Sequence, residues 1–415
     1  PLLKKRVEIA TVLVDGLDVN VIKNKNGSFN FDTLIPASDS AAASADNNKN
    51  DSSGLSFVLL ADRIVLNNCN FTYKDLQTGM DASVNKLQVE IREFDLDSPF
   101  DIKIKFTTEY SAAGLNMTVP VSISLRTFLA NLNLPEAYVT VNDISASYKT
   151  VKLQLKGGIK NFEAPQADLS GTLSGISNTT VAEILPDLPH FSLPVIHMAV
   201  KAVADLEKST AVISQAKLSV MDSAFSLAGT AGWAGTAPTY SVKADLSTDL
   251  GQIVQMTDTV ADFQPGGLIT GAFKATDKND GQDISGQILL KNVSAMYAPF
   301  TVKDLNGTVK ITSINDIACP SLTGFLNGEK FTSSFSYKNI KDVLNIVFNA
   351  ELDKFTLKEF PSYAAAETEN DTDTASGNKT AGPELLMNIK SNIKVGPISV
   401  PYFGWDAFTL NATLT

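Results

Sequence analysis

The sequence predicts an all-β protein, built as a long, mostly antiparallel, twisted sheet that folds into an open apolar groove, with a few short helices. Two observations predict this class. Apolar and polar residues alternate along most of the chain, which is the pattern of strands with one apolar and one solvated face. Helical sequence is scarce, so the usual cover for such a sheet is missing.

The alternation is clearest in the segment 115–125, where six apolar residues alternate with Asn, Thr, Pro and Ser. The same pattern recurs at 101–106, 240–246, 304–312 and 331–338. Roughly 22–26 such segments follow one another, separated by Gly, Asn or Asp. We therefore expect antiparallel hairpins and meanders through most of the chain.

Short turn signals separate the predicted strands. Asp15-Gly16, Gly157-Gly158 and Asn306-Gly307 are typical examples, and each is predicted to reverse the chain. Two stretches are candidate helices: Asn178–Leu188, capped by Asn178 or Thr179, and Asp249–Val260. Neither helix is long enough to cover a many-stranded sheet.

Two polar stretches interrupt the pattern and predict how the chain is organised. The predicted parts are an amino-terminal strand segment at 1–36, a flexible linker at 37–54, a repeating β-groove at 55–363, a flexible acidic loop at 364–383 and further groove strands at 384–415.

Composition excludes several functions. The net charge is −11, with 45 acidic and 34 basic residues and no cluster of Lys or Arg, so we expect no nucleic-acid partner. Two cysteines cannot form a disulfide framework or a four-cysteine zinc site, and Cys69 is predicted to be a buried small residue. No apolar run is long enough for a membrane-spanning helix.

Catalytic and metal-binding patterns are also missing. The chain has two histidines, of which His197 is predicted to face solvent, and it has no nucleophile elbow, phosphate loop or zinc-binding motif. We expect a protein that is not an enzyme and that has no metal and no cofactor.

An apolar strand face without helical cover needs another partner. A groove lined by long apolar side chains can hold lipid, because each buried CH₂ contributes about 0.8 kcal/mol. β-Sandwiches in series, with dry cores, are the alternative, and they would suit a structural or adhesive β-repeat protein. The predicted lining residues of the groove are Leu115, Met117, Val119, Val121, Ile123, Ile196, Met198, Val200, Ile284, Ile288, Leu290, Val309, Ile311, Phe331 and Phe335.

Two phrases near the amino terminus resemble the corresponding region of AsmA-like proteins. The first phrase consists of Val19, Val21, Lys23, Asn24, Gly27, Asn30 and Phe31. The second consists of Ile64, Leu66, Asn68, Cys69, Phe71, Tyr73, Asp75, Thr78 and Gly79. Asn30 and Asp75 are expected to be structural, since Asn tolerates left-handed turns and Asp can accept bonds from backbone N–H groups. The same structural role is expected for Asn24, Gly27, Phe31, Tyr73 and Gly79.

The resemblance implies a function for the groove. AsmA-like proteins are periplasmic, are tethered to the inner membrane by a helix that would precede Pro1, and are similar in architecture to bridge-like lipid transfer proteins. The implied partner is phospholipid or another lipid, which the groove would carry between inner and outer membrane in support of outer-membrane assembly. Terminal regions outside this sequence would contact the two membranes.

Overall fold

A computed structural model describes residues 6–32, 58–112, 115–185, 191–235, 238–257, 263–278, 281–341, 343–357, 386–401 and 403–414. These residues form 24 strands, within the predicted range. The predicted linker at 37–54 and the predicted acidic loop at 364–383 lie outside the described residues. The chain divides into two compact units. The first unit consists of Pro1–Leu188 and Ser192–Gln215, and the second consists of Pro189–Phe191 and Ala216–Thr415.

Strands β1 to β11 are Arg6–Asp15, Asp18–Lys23, Val58–Asp75, Met80–Phe94, Phe100–Ala112, Leu115–Phe128, Tyr138–Tyr148, Val151–Lys160, Gln166–Ser174, Ile196–Asp205 and Thr210–Val220. Strands β12 to β24 are Ser223–Gly232, Thr239–Asp249, Gly266–Lys278, Gly281–Tyr297, Phe300–Ser313, Asp316–Leu326, Glu329–Ile340, Val343–Leu352, Phe355–Thr356, Leu386–Val395, Ile398–Val400, Phe403–Trp405 and Phe408–Leu414. The strands of each unit form a mostly antiparallel sheet, and β20, β22 and β23 form a separate small sheet. The predicted all-β class with a mostly antiparallel sheet is confirmed.

In the first unit, each strand from β3 to β9 pairs antiparallel with the next strand along the chain. The exception is the amino-terminal edge, where β1 and β2 both pair with β3 in parallel. Gly16 joins them with a φ of +70°, and its N–H donates to the carbonyl of Asn67 at 3.0 Å. The predicted reversal at Asp15-Gly16 is therefore wrong, because the bend lets the chain continue in the same direction along β3.

The second unit repeats the antiparallel order from β12 to β19. Strand β21 then pairs with β19 in parallel, and β24 pairs antiparallel with β21. Parallel pairing needs a long connection, and 33 residues separate the end of β19 at Leu352 from the start of β21 at Leu386.

Two further predicted turns are wrong. Gly157-Gly158 lies within β8, and Asn306-Gly307 lies within β16. A Cβ on Gly157 would lie 2.1 Å from the carbonyl oxygen of Asp168, and its φ is +135°. Glycine is present there because the neighbouring backbone comes too close for a side chain.

The predicted helices are shorter than expected. The first is α1, Asn178–Ile184. Its amino-terminal cap is Ser177, whose hydroxyl accepts the N–H of Thr180 at 3.4 Å, so the predicted caps Asn178 and Thr179 are wrong. The second is a 3₁₀ helix at Leu250–Gln255 that starts after Asp249, whose carboxylate accepts the N–H of Gly251. A further short 3₁₀ element, Ala130–Leu132, was not predicted.

Burial is shallow throughout the described residues. Only eleven apolar residues are buried there, and the largest fully buried side chains are Cys69 in the first unit and Cys319 in the second. The prediction that Cys69 is buried is confirmed. Most other apolar side chains on the strands are half-buried, so each unit has one apolar sheet face and no thick core.

Candidate functional site

The apolar face of the first unit consists of aliphatic side chains that line up across the strands. Residues directly opposite one another on paired strands project to the same face of a sheet. Two such rows, the aliphatic rows, cross β3 to β10. The first is Leu66, Val89, Ile104, Ile123, Ile144, Leu155, Gly171 and Met198, and the second is Ile64, Ile91, Ile102, Leu125, Val141, Gly157, Leu169 and Val200.

β-Bulges keep these rows on one face. Leu125 and Ile123 of β6 are two residues apart, whereas their partners Val141 and Ile144 in β7 are three apart. In a regular strand Val141 and Ile144 would project to opposite faces, and the extra residue restores them to one face. A similar irregularity in β3 includes Asn68, which has a φ of +50°.

The apolar face of the second unit contains aromatic as well as aliphatic residues. Its long row, the mixed row, is Leu227, Ala244, Phe273, Gly286, Ile311, Ile317, Tyr337, Ile346 and Ile389. A Cβ built on Gly286 would lie 2.9 Å from the ring of Phe273, and one built on Gly271 would lie 2.5 Å from it. The Phe273 ring therefore lies across both glycines, where it covers backbone that would otherwise be exposed.

The structure places the predicted lining residues of each unit on the apolar face of that unit. Ile123, Met198 and Val200 lie in the aliphatic rows, and Leu115, Met117, Val119 and Val121 share the face of Ile123 on β6. Ile196 lies on the same face as Val121, because successive opposite pairs on neighbouring strands link the two residues by way of Leu173, Leu153 and Ala146. In the second unit, the predicted lining residues on the apolar face are Ile284, Ile288, Leu290, Val309, Ile311, Phe331 and Phe335. Ile196 is buried, and the other fourteen are half-buried.

Sequence reasoning missed several members of the rows. Leu155 follows a visible alternation with Val151 and Leu153, which could have identified it. Ile144 is hidden because the bulge breaks the period of two, and only the pairing with Ile123 reveals its face.

The opposite face of the sheet is polar and contains charged pairs between neighbouring strands. Arg126 and Asp101 lie directly opposite each other, with a nitrogen–oxygen distance of 3.0 Å. Lys201 and Asp168 are paired in the same way at 3.1 Å. His197 is exposed on this face, as predicted. Exposed pairs of this kind stabilise a fold by less than about 1 kcal/mol each, so their main consequence is to mark the solvated side.

Polar side chains attach helix α1 to the strands of the first unit. Glu183 of α1 accepts a hydrogen bond from the Tyr148 hydroxyl at 3.2 Å and pairs with the Lys149 ammonium group. These contacts attach α1 to the turn between β7 and β8, at one end of the strands. In the part of the chain that the structure describes, α1 is the one α-helix, and it has seven residues.

Most residues of the two amino-terminal phrases lie in one corner around β2 and the end of β3. The Asn30 side-chain amide donates to the carbonyl of Asn20 and accepts the N–H of Ile22, both at 2.9 Å, so it pairs with β2 as a further strand would. Asn30 does not adopt the expected left-handed conformation. Phe31 stacks on Phe29 with ring centroids 5.3 Å apart.

Other phrase residues form the turns at this corner. Gly27 and Gly79 have φ of +86° and +71°, which favour glycine. Asn24 donates from its side chain to the hydroxyl of Ser28 at 3.1 Å. Tyr73 lies opposite Val21 of β2 and is half-buried.

Asp75 holds this corner together. Its carboxylate accepts the N–H of Gln77 at 2.8 Å and of Thr78 at 3.3 Å, and it pairs with the Lys23 ammonium group at 3.1 Å. Burial acts to raise the pKa of Asp75, but the bonds from Gln77, Lys23 and Thr78 together outweigh it and lower the pKa below its ordinary value. Asp75 is therefore a charged structural anchor.

These features define a class of protein: an all-β chain built on open sheet, whose apolar face has no helical layer over it in the described residues. The chain belongs to the AsmA family, because the AsmA family model matches residues 1–260. This membership supports an envelope-associated role. No curated protein and no solved structure matches the chain. Among the described residues, no helix has the length and apolar character needed to cross a membrane.

Proposed function

We propose that the apolar face of this chain binds phospholipid or another lipid and carries its acyl chains across the strands of the sheet. The observation that supports this most directly is the half-exposed state of the apolar rows. Fourteen of the fifteen predicted lining residues are neither buried nor fully exposed. A dry sandwich core would bury such residues, whereas a surface that exchanges lipid must leave them accessible.

The length of the aliphatic rows suits an acyl chain. Each row crosses eight strands, and seven spacings of about 4.8 Å give about 34 Å. One bilayer leaflet has a hydrocarbon thickness of about 15 Å, so a row is long enough for an extended acyl chain. Each CH₂ that leaves water contributes about 0.8 kcal/mol, without any specific polar contact.

The setting that we propose is the bacterial periplasm, with a tether to the inner membrane in the complete protein. In that setting the chain would support outer-membrane assembly by moving lipid between the membranes. The role is binding and transfer and not catalysis, since lipid movement along an apolar surface requires no bond to break.

Native mass spectrometry of the purified chain tests lipid binding. We expect phospholipid to co-purify and to be recovered by solvent extraction at about one or more molecules per chain. A protein free of lipid, together with no uptake of labelled phospholipid from vesicles, would favour the structural or adhesive β-repeat alternative.

A charge placed on the apolar face tests the location. Val121→Asp should reduce phospholipid uptake about tenfold or more, because a carboxylate in an apolar lining costs several kcal/mol. Thr118→Asp is the matched control, since it places the same charge three residues away on the exposed polar face of β6. Equal uptake by both variants, with both folded, would contradict the proposal.

A further inference from the structure

The polar face of the first unit contains a recess of about 570 Å³ that extends from β4 to β8. Three lysines, Lys86, Lys105 and Lys152, line it, and we call it the lysine recess. The residues between them are uncharged and include Ser122 and Ser145. Among its described lining residues there is no carboxylate, although the chain as a whole has a net charge of −11.

Within the described part of the chain, the three lysines have no ionic partner. Lys105 lies opposite Gln88 and Ser122, and Lys152 lies opposite Ser147 and Ser174. The strand pairing therefore leaves three positive charges uncompensated around one recess.

Some other cations of the same face lie opposite an acidic residue. Lys74 lies opposite Asp81, Lys103 lies opposite Glu90, and Lys201 forms an ion pair with Asp168. The other described recesses contain acidic as well as basic lining residues: Asp81 and Glu109 beside Lys74, Glu351 beside Lys394, and Asp168 beside Lys160 and Lys201. Of these four recesses, the lysine recess is the one without an acidic lining residue. Its electrostatic potential is therefore positive and favours an anionic ligand.

An acidic residue lies beyond each end of the lysine recess, measured along the strands. Glu109 lies two residues beyond the Thr107 of its lining, and Asp143 lies two residues before Ser145. Anionic groups are therefore favoured in the band between these two carboxylates and disfavoured beyond it. The band runs across the strands and not along them.

The spacing of the lysines indicates the size of the ligand. Lys105 on β5 and Lys152 on β8 are three strands apart, which is about 14 Å at 4.8 Å per strand. The row between them, Ser122, Ser145 and Gln154, supplies hydroxyl and amide groups that can donate and accept hydrogen bonds. A volume of about 570 Å³ lies within the range of small-ligand sites. A ligand that fits has anionic groups towards both ends and hydroxyl groups between them.

We propose that the lysine recess binds an acidic oligosaccharide of about two to three sugar residues. The lysines bind its anionic groups, and the serine and glutamine side chains bind its hydroxyl groups. This site is on the polar face, so it goes beyond the proposed lipid function and does not depend on it.

Calorimetric titration of the purified chain with trigalacturonate tests the proposal, with maltotriose as the neutral saccharide and tripolyphosphate as a polyanion without hydroxyls. We expect trigalacturonate to bind more tightly than either. Lys105→Gln with Lys152→Gln should weaken its binding about tenfold or more, because two charged hydrogen bonds are lost. Lys156→Gln removes a lysine from the same strand, outside the recess, and should leave binding unchanged.

Three results would overturn the proposal. These are no binding of trigalacturonate, tighter binding of tripolyphosphate than of trigalacturonate, and equal weakening by Lys156→Gln. Unchanged urea midpoints of the variants establish that they are folded, and lysines exposed on a strand are expected to tolerate glutamine.

Discussion

Both units are built mainly from antiparallel neighbouring strands, but their apolar faces consist of different residues. The aliphatic rows of the first unit have a branched or long aliphatic side chain at nearly every strand. The mixed row of the second unit places Ala244, Gly286 and two aromatic rings among its aliphatic residues. An open apolar sheet can thus be stabilised by uniform aliphatic contacts or by rings that lie across glycine, and the two solutions should respond differently to substitution.

The largest effect is expected from glycine in the first unit. Gly157→Ala should lower the free energy of unfolding by about 3 kcal/mol, because a Cβ there would meet the Asp168 carbonyl at 2.1 Å and φ is +135°. Urea denaturation measures the change. Gly79→Ala, where φ is +71° and no atom lies within 4 Å, should cost only about 1 kcal/mol. Equal costs would contradict the close approach of β8 and β9.

A smaller effect is expected from the aromatic cover of the second unit. Phe273→Ala should lower the free energy of unfolding by about 2 kcal/mol, since it uncovers the backbone at Gly271 and Gly286. Phe225→Ala, which removes a side chain that is 40% exposed, should cost less than about 1 kcal/mol. If the two variants lose the same stability, the ring of Phe273 has no special role and the contrast between the units is weaker.

The smallest effect concerns the parallel strand pairs, which the units stabilise by different chemistry. Asp75 and Lys23 join β2 to β3, whereas Asn388 donates to Asn345 at 3.0 Å between β21 and β19. The lowered pKa of Asp75 means that its stabilisation is complete above the ordinary aspartate pKa of about 4 and is lost as the pH falls through the lower, folded value. The neutral amide pair has no such dependence.

Hydrogen exchange measured as a function of pH distinguishes the Asp75–Lys23 pair from the Asn388–Asn345 pair. The amides of 70–75 should lose protection as the pH falls below about 4, and Asp75→Asn should lose protection at neutral pH and vary less with acid. The amides of 386–395 should show no corresponding change with Asp75→Asn. Identical pH responses of the variant and the parent would contradict the anchoring role of Asp75.

The strands, and the apolar side of most of them, could be predicted from the sequence alone, because the alternation of apolar and polar residues is a local property of each strand. It was insufficient where pairing decides the outcome. The bulge that brings Val141 and Ile144 to one face, the parallel course of β1 and β2, and the glycines within β8 and β16 all depend on the neighbouring strand. The lysine recess was missed for the same reason, since Lys86, Lys105 and Lys152 come from three different strands.

The central claim is that lipid lies on the apolar face, and site-specific photo-crosslinking to phospholipid tests it most directly. A photoreactive side chain is placed at Ile123 or Met198 in the aliphatic rows, at Ile311 in the mixed row, and at Thr118 or Lys156 on the polar face. We expect crosslinks from the first three positions and none from the last two. Crosslinks of equal yield from both faces, or none from the rows in a folded chain, would contradict the account.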